Sequence, residues 1–208
     1  MNNFFKRPQV REVAVNDEFF TPYLDMIRNV TVPYMFYKFE EKGWIANYKN
    51  HLDTIKNGTK HGHREVPFST GLTLESLRGA CDFLAASYDD NMAKLVENFV
   101  NVVASVSEAE PDGFICSYTE LGGEENERFG MAGRSIIQSH DLYNLGCLIE
   151  AAVAHYNATG KTRLIEAAIK AAAYICREIG EAPKKEVIPG HSLPEEAMVK
   201  LYRLIQHF

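Results

Sequence analysis

The chain has 208 residues, 46% of them hydrophobic and 24% charged, and carries a formal net charge of −6. That length can bury a sizeable core as one domain, and the acidic balance argues against nucleic acid or an anionic membrane as a main partner. No apolar run reaches membrane-spanning length, and the opening residues MNNFFKRPQVREVAVND lack the apolar core of a signal peptide, so a cytoplasmic protein is expected.

Residues 1–20 read as an extended arm. From Gln9 to Phe20, apolar and polar side chains alternate through Val10, Val13 and Val15, which predicts a short strand or extended segment before a turn at Asn16-Asp17. Thr21-Pro22 then predicts an N-cap followed by proline at the first helical position. Leu24, Ile27, Val30, Tyr34 and Tyr37 carry that helix to Glu41, with Pro33 as a kink and Gly43 as the stop. Residues 44–68 show little periodicity and predict a long loop. Its His61-Gly62-His63 could offer two metal ligands, but without a third nearby, solvated histidines are the default.

A helical pair follows, Leu72 to Tyr88 and Met92 to Val106, with apolar faces through Leu74, Leu77, Ala80, Cys81 and Leu84 and through Leu95, Val96, Phe99, Val100 and Val103. Pro111-Asp112-Gly113 signals a turn, Phe114, Ile115 and Tyr118 a short extended segment, and residues 122–133 a polar loop. Ser139 to Lys161 predicts a long central helix. Ser139 is its expected N-cap, Asp141 suits the helix dipole, and Leu142, Leu145, Ile149, Ala152, Val153 and Tyr156 form the buried stripe. Ala151, Ala152 and Ala154 would let neighbouring helices come close, and Asn157 with Gly160 would end the element.

Thr162 to Ile179 pairs with it through Leu164, Ile165, Ala168, Ile169, Ala172 and Ile175, with Gly180 as the expected C-cap. A last helix, Ala197 to Phe208, follows a polar loop. The second helices of the two complete pairs end about 72 residues apart, a loose period that supports an all-α toroid of helical hairpins. The last helix has no mate. One domain, 1–208, incomplete at its C-terminus and with an uncovered apolar face on that helix, is the expectation.

Residues with chemical potential are scattered. Cys81, Cys116, Cys147 and Cys176 form no CxxC pair, so buried free thiols are expected and neither a disulfide framework nor a cysteine-only zinc site is. Glycoside cleavage needs two flanking carboxylates, and Asp112, Glu120, Asp141 and Glu195 lie in or near loops, but their spacing singles out no pair. Glu150 could anchor loop amides or pair with a neighbouring helix. Tyr118, Phe129 and Tyr143 could stack on a sugar face, with core packing as the default for each. His140 and His191 each sit where a loop enters a helix, so an imidazole there can project into a cavity mouth and bond a sugar hydroxyl, unless it caps the helix instead. His155, within the central helix, reads as half-exposed packing.

TVPYMFYKFEEKG, the PDG turn, SIIQSHDLYNLGCLIEAAVAHYNATGK and IPGHSLPEEAMVKLYRL resemble, in the same order and over most of residues 10–204, the N-terminal half of the β-L-arabinofuranosidase-like glycoside hydrolases. The resemblance implies an (α/α)6 toroid around a sugar pocket, with His140 and His191 at positions of subsite histidines. It also implies a retaining reaction in which a zinc-bound cysteine is the nucleophile and glutamates serve as acid/base and metal ligand. Those groups belong to Glu-x-Cys and Cys-Cys motifs in the second half of the family's chain, and neither motif occurs in these 208 residues. Catalytic and metal residues are therefore expected to be absent here, zinc being a cofactor of a full-length member.

Two departures from the family pattern bear on the substrate: Ser69, Thr70, Gly71 and Leu72 follow Phe68 where relatives often have an acidic pair, and Cys147 replaces a common histidine. A carbohydrate ligand held by His140, His191 and Tyr143 is expected, with a second copy of the chain as a candidate cover for the last helix. The alternative is a non-catalytic sugar-binding or helical interaction module.

Overall fold

Apolar side chains at helical spacing place most of the chain in helices. The structure is a computed structural model that describes residues 8–122, 127–130 and 140–206. The elements are α1 (Phe20–Met26), a π-helical turn (Ile27–Thr31), α2 (Val32–Lys42), α3 (Trp44–Asn57), α4 (Ser69–Ala86), α5 (Asp90–Ala109), α6 (Ser117–Leu121), α7 (Asp141–Thr159), α8 (Arg163–Glu178) and α9 (Leu193–Ile205). The described residues contain no β-strand, only an isolated bridge between Ile179 and Lys185. The described part of the arm holds one 3₁₀ turn, Val10–Glu12, and none of the strand that the Val10, Val13, Val15 alternation had suggested. All three valines are exposed, so no sheet partner rewards the pattern.

The helices pack in two rows. One runs α2, α4, α7, α9 and the other α3, α5, α8, with α7 against α4, α9 and α8. Three hairpins result: α2–α3, α4–α5 and α7–α8. This is the arrangement of an arc of an (α/α) toroid. The central helix is α7, which buries twelve of its residues. Its cap differs from expectation, because His140 occupies the N-cap position in a left-handed conformation, while Ser139 lies outside the described residues. At the other end of the chain, α9 begins at Leu193, so Glu195 sits in an exposed first helical turn and not in a loop. Gly180 lies one residue beyond the C-cap of α8, which is Ile179.

The first hairpin contains two corrections. Residues 44–57 form α3, not a loop. Gly43 caps α2 at φ 79° and N-caps α3, so the chain reverses on one residue. The buried face of α3 is Ile45, Asn47, Tyr48 and His51, whose polar members break the apolar periodicity. Upstream, α1 starts at Phe20, where Asp17 accepts from the Phe19 and Phe20 amides; Thr21 is inside the helix and does not cap it. A π turn just before Val32-Pro33 accommodates the proline and shifts the helical register. Val32, Phe36 and Phe39 then face the core, and Val30, Tyr34 and Tyr37 face outward.

A T-shaped aromatic set, Phe36–Phe39, Phe36–Phe99 and Tyr48–Phe99, locks α2 and α3 onto α5. Val199, Tyr202 and Ile205 are exposed on α9. Charged side chains also join the rows' neighbours: Glu150 of α7 pairs with Arg78 of α4 at 3.3 Å and Lys200 of α9 at 2.7 Å, so it is an interhelical bridge and not an anchor for loop amides.

His155 corrects a further expectation. It is fully buried, with Nε2 3.0 Å from Glu97. Cys81, Cys116 and Cys147 are buried free thiols, whereas Cys176 is exposed.

Asp89 N-caps α5 by accepting from the Met92 amide at 2.7 Å. Asp89→Ala is expected to lower stability by about 1 kcal/mol, measured as a lower urea midpoint with an unchanged denaturant slope.

Candidate functional site: a ring platform at the start of the central helix

Four rings meet where loops enter α4, α7 and α9. Phe68 precedes α4, His140 and Tyr143 open α7, and His191 precedes α9. Ring centroids are 5.3 Å apart for Phe68–His140, 6.0 Å for His140–Tyr143, 6.1 Å for His140–His191 and 5.1 Å for Tyr143–His191. His140 and Tyr143 are half-buried; Phe68 and His191 are exposed. The three residues singled out in sequence are thus brought together, and Phe68 completes the set.

Local physics explains the placement. His140 sits at φ 57°, ψ 19°, a conformation uncommon for a residue with a Cβ and concentrated at functional sites. Leaving the helical path there, the chain brings the ring alongside those of Phe68 and His191. Burial pushes the Tyr143 phenol well above its ordinary range, so it remains a neutral hydroxyl.

Packing beneath the rings is close. A Cβ on Gly71 would lie 2.4 Å from Tyr143 Cε1 and 2.8 Å from Asn144 Oδ1, and one on Gly146 would lie 3.0 Å from the Pro194 nitrogen. Gly146 sets the approach of the start of α9, whose N-terminus follows His191. Asn144 is fully buried: Oδ1 accepts from the Gly71 amide at 2.8 Å and Nδ2 donates to the Pro67 carbonyl at 3.2 Å. Sequence reading missed Asn144; a polar residue among the apolar stripe positions of α7 was the available signal.

Asp141 is nearly inaccessible. It accepts from Thr119 Oγ1 at 2.6 Å and from the Phe129 amide at 2.7 Å. It holds loops in place and is not the solvated loop acid that its position suggested. Phe129 is a core residue packed on Phe114 and Tyr174, and half-buried Tyr118 packs edge-on to His63.

Arg128 Nε donates to Glu120 Oε1 at 2.8 Å, and its Nη1 pairs with Asp112. Burial raises the Asp112 pKa, but the Arg128 hydrogen bond and the Phe114 amide outweigh it and hold the carboxyl below its usual range. Neither acid is left as a free proton donor facing the rings. His61 and His63 are engaged separately, His61 with Asp53 at 2.6 Å and His63 with Asn47 at 3.0 Å. Burial lowers the His63 pKa to about 4, so that ring is neutral near pH 7.

A cysteine–zinc centre does not fit the residues present. The four cysteines lie on separate segments, and burial pushes Cys81 and Cys116 up and Cys147 to about 12, so these three thiols keep their protons. A cleft of about 710 Å³ lies elsewhere, under the N-terminal arm and lined by Val13, Leu24, Arg28, Asp82 and Phe83. Asp82 is on the order of 20 Å along α4 from Ser69, so this cleft is separate from the platform.

A two-row helical arc with aromatic and imidazole rings gathered at its loop end is part of an (α/α) toroid of helical hairpins. Comparison agrees: the profile of the β-L-arabinofuranosidase, GH127 catalytic domain matches residues 12–207, and the chain belongs to that family. A non-reducing end β-L-arabinofuranosidase of Bifidobacterium longum subsp. longum is 31% identical over 130 residues, covering 61% of this chain and 19% of that protein. The solved structure of a GH127 β-arabinofuranosidase superposes with a TM-score of 0.81 at 33% identity, covering 95% of this chain and 31% of that one. A GH127 β-L-arabinofuranosidase from Geobacillus stearothermophilus T6 shares the fold, with a TM-score of 0.80 at 23% identity over 93% of this chain and 30% of that one. The chain therefore spans less than a third of the length of each of these relatives.

Two outcomes test the geometry. Gly71→Ala forces a methyl into the Tyr143 ring and is expected to cost about 1–3 kcal/mol, read as a lower unfolding midpoint with a changed near-ultraviolet tyrosine signal. The Asp112 carboxyl, depressed in the folded state, contributes stability that is present above about pH 4 and lost as pH falls through its folded pKa. Arg128→Gln should remove that acid-limb dependence, so its deficit is largest at pH 7 and shrinks as the pH falls below about 4, measured by urea unfolding at several pH values.

Proposed function

We propose that the chain is the sugar-binding arc of a β-L-arabinofuranosidase-type glycoside hydrolase and that by itself it hydrolyses nothing. The observation that carries this reading is the convergence of His140, Tyr143 and His191 on one platform with Phe68. A neutral imidazole can donate to one sugar hydroxyl and accept from another. The tyrosine adds a hydroxyl, and the ring faces offer an apolar surface for the C–H side of a pentose. The family membership and the relatives' names support an arabinofuranoside as ligand.

Inactivity of the chain alone is supported by how four of the described acids are engaged. Asp112, Glu120 and Glu150 are held in ion pairs and Asp141 in a buried hydrogen-bond set. In this proposal the remaining toroid, with the family's cysteine and glutamate motifs, supplies the chemistry. Buried free thiols at Cys81, Cys116 and Cys147 suit a reducing, cytoplasmic setting.

The alternative, a helical interaction module, is favoured by the exposed Val199, Tyr202 and Ile205 face of α9. A second copy covering that face would make the chain dimeric, and Tyr202→Glu would return a dimer to a monomer in light scattering.

Ligand-observed NMR with L-arabinose and its methyl β-furanoside tests the main reading. Weak binding of the furanoside is expected, reduced about tenfold by His140→Ala or His191→Ala, a loss of one good hydrogen bond each, with no release of aryl alcohol from an aryl β-L-arabinofuranoside. Turnover by the purified chain, or binding that both variants leave intact, would overturn it.

A further inference from the structure

Three ligating side chains from distant parts of the sequence meet where α3 packs on α5 and α6. His51 of α3, Glu110 at the C-cap of α5 and Glu120 of α6 place one ring nitrogen and one oxygen from each carboxylate within 4.8 Å of one another. Burial sets this group apart from ordinary surface acids: His51 is 1% and Glu110 4% exposed, with Glu120 half-buried. A carboxylate that deep is costly unless a cation or proton donor faces it.

The hydrogen bonds around the group are those of a held ligand set. His51 Nε2 is 2.9 Å from Glu110 Oε1, and Ser117 Oγ is 3.4 Å from Nδ1. Without an ion, Nε2–H donates to Glu110 and the serine hydroxyl donates to Nδ1; a cation would take the place of the Nε2 proton, with Nδ1–H then donating to the serine hydroxyl. Such an outer partner is the usual companion of a metal-bound histidine. Arg128 engages Glu120 through Oε1, leaving the second oxygen to ligate. The other charges nearby are Asp112, paired with Arg128, and the Lys170 ammonium, which donates to the Ser107 and Glu110 carbonyls.

We propose that His51, Glu110 and Glu120 bind one first-row divalent cation of the zinc class. One imidazole with two carboxylates suits zinc, cobalt or manganese more than calcium or magnesium. Zinc bonds such atoms at about 2.0–2.2 Å, so the three need to close inward by only on the order of 1 Å. The ion ties α3, the end of α5 and α6 together and touches none of the four platform rings. It uses no cysteine, so it is a different site from the family's thiolate centre.

Equilibrium dialysis of the full chain against Co²⁺ and Zn²⁺, with visible spectra of the cobalt form, tests the site. One ion per chain is expected, retained in a His61→Ala/Cys176→Ser double variant and bound at least about tenfold more weakly by Glu120→Gln. The cobalt spectrum should show d–d bands without a thiolate charge-transfer band, a result that stands even where Glu120→Gln disturbs folding. Absence of a stoichiometric ion, an affinity unmoved by Glu120→Gln, a loss in the double variant, or a thiolate band would each overturn the proposal.

Discussion

The first turn of α7 is the constraint on which the loop end of the molecule depends. Two of its polar side chains turn inward: Asp141 binds Thr119 and the Phe129 amide, and Asn144 binds the Gly71 amide and the Pro67 carbonyl. Positions 141 and 144 are three apart, and so are 140 and 143, so each pair shares a face. One face anchors segments from before α4, from α6 and from the Arg128–Gly130 turn; the other carries half of the ring platform. A buried carboxylate or amide left without these partners would cost about 1–3 kcal/mol apiece, which makes the segments' positions interdependent. The platform's geometry is thus a by-product of how the core is closed.

The same helix explains the two rows. Gly146 lets the start of α9 come within contact of the α7 backbone, and Glu150, one helical turn further on, takes Arg78 from α4 and Lys200 from α9. Small residue and charge work together. Close approach aligns the helices, and a nearly buried carboxylate facing two cations then penalises any slip between them. Only at the ends of the arc does this continuity stop, and there the exposed apolar residues collect, on α1 and α2 at one end and α9 at the other.

Most of the helical architecture was legible because apolar residues recur at helical spacing along the buried faces of α4, α5, α7 and α8. The exceptions have physical causes. α3 was read as loop because Asn47 and His51 replace apolar residues on its buried face, each satisfied by a partner far away in sequence. Tyr34 and Tyr37 were taken into the apolar pattern of the first helix, although a π turn rotates that pattern and leaves them outside. In the site, His140, Tyr143 and His191 were readable from helix-entry positions and the family motif, but Asn144 and Asp141 were not. A polar residue on an apolar stripe reads as an error in the pattern until its partners are known.

Recognition and catalysis place different demands on a chain. A sugar platform can be assembled from residues close to the entry points of three helices, since the same packing that brings helix ends together brings their first side chains together. A nucleophile and an acid/base pair need lowered or raised pKa values, and so need a charge or a metal held beside them. Among the described residues, Asp112 and Glu120 near the loops are engaged by Arg128 and Asp141 by amide and hydroxyl donors, and the buried thiols keep their protons. Freeing any one of them for chemistry would unpin a loop that shapes the platform. In the proposed reading, positioning the sugar with this arc and supplying the reactive groups from elsewhere in the toroid avoids that conflict.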